Sequence, residues 1–177
     1  MPIRPSSRLS LLAALLLLCV VACAPPSLPF SRLAGLITTG LLDEISGVAA
    51  SHVHEDVLWL INDGGNPAEI FAINRRGRLL ARYDVRGARN IDWEDLASFT
   101  LQGKHYLLVA DTGDNGGKRK DIALHVFEEP ASLDGGELKP AWTIRARWPD
   151  GPRDCEAVAV DAAAGQALGH VLVEAGA

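Results

Sequence analysis

The sequence predicts an all-β chain, organised as a β-propeller of four-stranded blades, and three observations carry that expectation. A skeleton recurs 48 positions apart: Glu44 answers Asp92, Gly47-Val48-Ala49 answers Asp95-Leu96-Ala97, and Asp63-x-Gly65-Asn66 answers Asp111-x-Gly113-Asp114, with no gap over residues 44–66 against 92–114. A third copy opens at Asp154-Cys155-Glu156-Ala157-Val158-Ala159. Between the copies, short apolar or alternating runs are separated by Gly, Pro, Asn and Asp clusters, as strands joined by tight turns are. Repeats of about 40–50 residues holding several strands each are the pattern of propeller blades.

The first blade takes its inner strand from Glu44 to Ala50 and a polar hairpin loop from Ser51 to Asp56. Val57 to Asn62 is the second strand, and Asp63-Gly64-Gly65-Asn66-Pro67 the turn after it. Glu69 to Asn74 alternates apolar and polar residues, Arg75-Arg76-Gly77 turns, and Arg78 to Val85 places Leu79, Ala81, Tyr83 and Val85 on one face. The second blade repeats the plan with strands at Asp92–Thr100, His105–Ala110, Ile122–Phe127 and Trp142–Trp148, the last reached through a loop containing Asp134-Gly135-Gly136. The third copy supplies an inner strand, a turn over Asp161 to Gly169 and a strand from His170 to Glu174. The run Leu33 to Leu42 is expected to be an outer-edge strand. About two and a half blades are thus encoded, where a closed propeller needs at least about four. The chain therefore reads as a truncated product of a longer protein, since an unclosed stack exposes strand edges.

Ahead of the blades lies an address. Arg4 and Arg8 precede the apolar run Leu9 to Ala22, too short for a transmembrane helix of about 20 residues. The run ends Val20-Val21-Ala22-Cys23, which resembles the lipobox of bacterial lipoproteins. That resemblance implies a signal peptide at 1–22, a lipid-bearing Cys23 and a Pro- and Ser-containing tether to residue 29, with the propeller domain over 30–177. The expected address is the cell envelope, anchored to membrane and facing the periplasm or exterior. A net charge of −5 gives no basic face for nucleic acid. With Cys19 and Cys23 both in the N-terminal segment, Cys155 is left without an internal disulfide partner and reads as a small buried residue.

The segments Asn90-Ile91-Asp92-Trp93-Glu94-Asp95-Leu96-Ala97, Asp111-Thr112-Gly113-Asp114-Asn115 and Pro149-Asp150-Gly151-Pro152-Arg153-Asp154-Cys155-Glu156-Ala157 together resemble a group of secreted bacterial β-propellers. That group is similar in layout to six-bladed NHL-repeat and phytase-like propellers. The resemblance spans most of residues 40–160 and implies six blades in relatives about twice as long.

Chemistry is concentrated in carboxylates. Side chains two apart share a strand face, so Asp92 and Glu94 point together, as do Asp154 and Glu156, with Glu44 at the matching place in the first copy. Inner strands of a propeller converge at one channel mouth, and five acids meeting there need relief from a cation, from arginines such as Arg89 and Arg153, or from protonation. Ca²⁺, a hard cation that takes oxygen ligands, is the candidate cofactor. Asp63, Asp111, Asp114 and Asn115 form a second candidate set in the loops after the second strands, equally suited to a calcium loop or to a tight turn. His52-Val53-His54-Glu55-Asp56 has a metal-ligand look but falls in a hairpin loop. There is no P-loop and no nucleophile elbow. The expectation is a lipid-anchored binding or scaffold propeller with a Ca²⁺ site at the channel mouth and a protein or small-molecule ligand. The alternatives are a phytase-like or lactonase-like metal-dependent hydrolase and an inactive truncated product.

Overall fold

The computed structural model describes residues 33–161 and 171–174. The expected signal peptide, Cys23, the tether and most of the turn over Asp161 to Gly169 lie outside the described residues. All strands belong to the compact unit Ala34–Ala177, and among the described residues there is no helix.

Eleven strands are formed: β1 (Ile45–Ala50), β2 (Val57–Asn62), β3 (Glu69–Asn74), β4 (Leu79–Val85), β5 (Trp93–Leu101), β6 (Lys104–Asp111), β7 (Ile122–Glu128), β8 (Gly136–Leu138), β9 (Trp142–Ala146), β10 (Ala157–Val160) and β11 (Val171–Glu174). They make a five-stranded sheet in the order β1-β2-β3-β4-β8, a four-stranded sheet β5-β6-β7-β9 and the pair β10-β11. Nearly every pairing is antiparallel between strands that are neighbours in sequence, because short turns permit nothing else. The β5-β6 hairpin closes through two residues, Gln102 (φ 51°) and Gly103 (φ 77°). Such a left-handed pair matches the twist of the strands it joins.

Two expectations fail. No strand forms between Leu33 and Leu42, where Gly35, Thr38, Thr39 and Gly40 interrupt the apolar residues. The segment instead crosses the β3-β4 turn, held by the Leu36 amide donating to the Arg76 carbonyl at 3.2 Å, and buries Leu42. The stretch read as a loop around Asp134-Gly135-Gly136 delivers β8 to the first sheet, parallel to β4 at Tyr83–Val85. An edge strand carries unpaired backbone groups, and this return covers part of that edge. Gly135 and Gly136 make the approach at φ 75° and 122°.

The sheets stack face to face. One face of the first sheet (Trp59, Ile61, Ile70, Ala72, Tyr83) packs against Trp93, Leu96, Leu107, Val109 and Phe127 of the second. The opposite face of the second sheet (Leu108, Ala110, Leu124, Val126) receives Val158 of β10. The outer face of the first sheet gathers Leu60, Phe71 and Ile73 under Leu42.

This layering corrects the repeat. Trp59 and Ile61 occupy the face that Leu108 and Ala110 occupy in the next sheet, an offset of 49, whereas Ala49 and Ala97 remain 48 apart. The pairing agrees: Gly47 lies opposite Ile61, but Asp95 lies opposite Ala110. The second hairpin therefore holds one more residue. In a strand, a one-residue slip exchanges the two faces. The ungapped match thus fits the inner strands and misaligns the second ones: Asn62, not Asp63, answers Asp111, and Gly64, not Gly65, answers Gly113.

Candidate functional site

The first strands of the two larger sheets, β1 and β5, each carry a β-bulge at the same place. Pairing shifts between Ile45 and Gly47 in β1 and between Trp93 and Asp95 in β5, leaving Ser46 and Glu94 as the extra residues. A bulge bends its strand and re-aims the extra side chain. Both extra residues face an open cleft of about 380 Å³ that Glu44, Asp63 and Glu156 also line. The Ser46 hydroxyl donates to the Trp93 carbonyl at 2.9 Å and ties the two inner strands together beside it.

Around Glu94 the carboxylates gather. Oxygens of Asp63, Asp92 and Glu94 lie within 4.8 Å of one another, and so do oxygens of Glu94, Asp154 and Glu156. Four of the five acids expected at one mouth are therefore brought together, with Asp63 from the loop set added. Glu44 stands at the cleft edge, where its carboxylate accepts from Asn66 at 2.8 Å. Glycines make the room. A Cβ on Gly113 would collide with Glu94 Oε1 and the Asp92 carboxyl, and one on Gly64 would collide with Asp92 Oδ1.

The crowding has an electrostatic cost. Burial first, then the negative charges of Glu156 and Asp63, pushes the Glu94 carboxyl from 4.5 up to about 8. Burial and then Asp63 also raise Asp92. Like charges a few ångströms apart disfavour joint ionisation. In the metal-free protein Glu94 accordingly keeps a proton near neutrality. Neither arginine anticipated from sequence supplies the relief, since Arg153 pairs with Asp150 and Arg89 lines a separate cleft; the partial relief comes from Arg119, whose charge acts to lower Asp92.

The other loop candidates do different work. Asp111, 1% exposed, pairs with Arg119 at 2.8 Å and accepts from the Asp92 amide at 3.0 Å, which positions the inner strand. Asp114 accepts from the Lys118 and Arg119 amides at 2.8 Å and closes its own loop, while its amide donates to Asp154 at 2.6 Å. Asn115 is exposed.

The His52–Asp56 loop is a fastening. Glu129, 4% exposed just beyond β7, accepts from Trp59 Nε1 at 2.8 Å, from the His52 amide at 3.1 Å and from the Ser51 hydroxyl. His54 Nε2 meets the Pro130 carbonyl at 2.8 Å. Sequence reasoning passed over Glu129, because an acid at a strand end gives no sign that it will be buried 70 positions from the indole it serves. The Cys155 thiol is buried, which pushes its pKa up and makes it a poor nucleophile.

Compared with known proteins, the chain matches no family model and no curated protein.

Proposed function

We propose that this protein is a lipid-anchored, extracytoplasmic binding protein of propeller type, whose binding surface is built around a divalent-cation site at Glu94. The observation that carries the reading is the convergence of Asp63, Asp92, Glu94, Asp154 and Glu156 into two oxygen clusters sharing Glu94. Ca²⁺ takes six to eight oxygen ligands in flexible geometry, and such a cation would reverse the repulsion that now holds a proton on Glu94. The propeller assignment rests on the inner strands. β1 and β5 are joined by Ser46, and β10 is joined to β5 by the Val158 amide donating to Asp95 at 2.8 Å, a succession that suits radial repetition. The envelope address rests on Val20-Val21-Ala22-Cys23 and the segment before it.

A second reading draws on the open side of the cluster. A cation with coordination positions facing the cleft would polarise a substrate and activate water, the chemistry of a metal-dependent hydrolase. The first experiment is calorimetric titration of the full chain in detergent with CaCl₂ and MgCl₂, alongside the Asp154→Asn variant. Saturable Ca²⁺ binding that the variant weakens supports a cation site. No binding heat together with identical melting in Ca²⁺ and in chelator overturns it.

A further inference from the structure

On the far side of Asp111 lies a second cleft, of about 610 Å³, between the chain that leaves β4 and strands β7 and β9. Its volume falls within the range of small-molecule sites, about 300–1,000 Å³. Its walls are mixed: Val85, Ile91 and Ile122 are apolar, while four arginines (Arg86, Arg89, Arg119 and Arg145) supply the charge.

These arginines are not equivalent. Arg119 is spent on structure, bound to Asp111 at 2.8 Å and to the Gly113 carbonyl at 2.7 Å. Arg86 pairs with Glu137 at 2.7 Å. Asp121, the remaining acid of the lining, pairs with Arg147 from outside it. Among the described residues, Arg89 and Arg145 form no ion pair, and both are exposed. His125 adds no charge near neutrality, because burial and then Arg145 hold its pKa down at about 4. The cleft therefore carries two uncompensated guanidinium groups in a chain whose net charge is −5.

We propose that this cleft binds a small organic oxyanion, with Arg89 and Arg145 holding the anionic group and the Val85–Ile91–Ile122 wall taking its apolar body. Guanidinium is planar and presents forked donors that match carboxylate and phosphate oxygens, and it is weakly hydrated enough to give up water for them. A phosphate monoester and a carboxylic acid share this chemistry. The site lies apart from the carboxylate cluster, so the proposal stands or falls independently of the cation reading.

The test uses the full chain in detergent at fixed ionic strength, with phenyl phosphate, benzoate, inorganic phosphate and neutral benzamide as probes, read by calorimetry and thermal melting. Phenyl phosphate or benzoate is expected to bind saturably and better than inorganic phosphate, with benzamide silent. Whichever binds more tightly names the anionic group. Arg145→Gln and Arg89→Gln are each expected to weaken that binding about tenfold, the effect of one charge-assisted hydrogen bond. Arg78→Gln, at an exposed turn elsewhere, should leave it unchanged. Both cleft arginines are exposed and outside the core, so their variants should melt like the parent. The proposal is overturned if neither organic anion binds above the salt control, if benzamide binds equally, or if both cleft variants bind as the parent does.

Discussion

Replacing Glu94 by Gln isolates the cost of crowding carboxylates. Between its ordinary value of 4.5 and about 8, Glu94 holds a proton in the folded chain that the unfolded chain releases. The folded state then binds more protons, so this group's contribution is fully present below 4.5 and is lost as pH rises through about 8. At 1.36 kcal/mol per unit, the shift sets an upper bound of about 5 kcal/mol. Glu94 opens on a cleft that admits water, and screening there reduces the figure to about 2 kcal/mol. Gln keeps the shape and never ionises. Urea unfolding in chelator, followed by tryptophan fluorescence, should therefore find Glu94→Gln and parent within about 0.5 kcal/mol near pH 5, and the variant ahead by about 2 kcal/mol near pH 9. Added Ca²⁺ should close the gap at high pH by stabilising the parent alone. A parent whose stability is flat or rising from about pH 5 to pH 9 in chelator, or a variant less stable than the parent near pH 9, would refute the reasoning.

Three further outcomes are expected. Glu129→Ala leaves the fully buried Trp59 Nε1 without an acceptor and frees the 51–54 loop, at a cost of about 3 kcal/mol and a melting temperature lower by about 10 °C; Glu129→Gln, which keeps one acceptor oxygen, should lose less. Gly113→Ala drives a methyl into Glu94 and Asp92, so Ca²⁺ affinity should fall at least tenfold while Gly40→Ala, with nothing near its Cβ, leaves that affinity unchanged. Cys23→Ser should move the protein from the membrane to the soluble fraction on cell fractionation, and retention of the variant in the membrane would count against the lipid anchor.

The strands were legible because they alternate and because Gly, Asn and Asp punctuate them. β2 and β3 fall where the residue pattern places them, and most other strands lie within a residue or two. The strand expected over Leu33 to Leu42 was not legible as irregular chain. Its apolar residues serve a covering role, and burial alone does not distinguish a strap from a strand. Nor was β8: three residues, two of them polar or Gly, carry no periodicity, and their pairing with β4 is a long-range choice. The acids were legible as a group because the inner-strand pattern repeats, so Asp92, Glu94, Asp154 and Glu156 could be named together.

The sequence by itself determined that the described part of this chain is all-β, that β1 and β5 are related by 48 residues, and that carboxylates gather at the starts of β1, β5 and β10, with only Glu94 of the clustered acids inside a strand. These are local facts, set by side-chain periodicity and turn chemistry. Tertiary structure decided the rest. It moved the second strands to an offset of 49, because only that register presents Trp59 and Leu108 to equivalent layers. It bulged β1 and β5, aiming Ser46 and Glu94 into one cleft. It drew Asp63 into the cluster and turned Asp114 into a loop cap. Register, bulge and cluster depend on which face meets which neighbour, a property of packed sheets that no single strand carries.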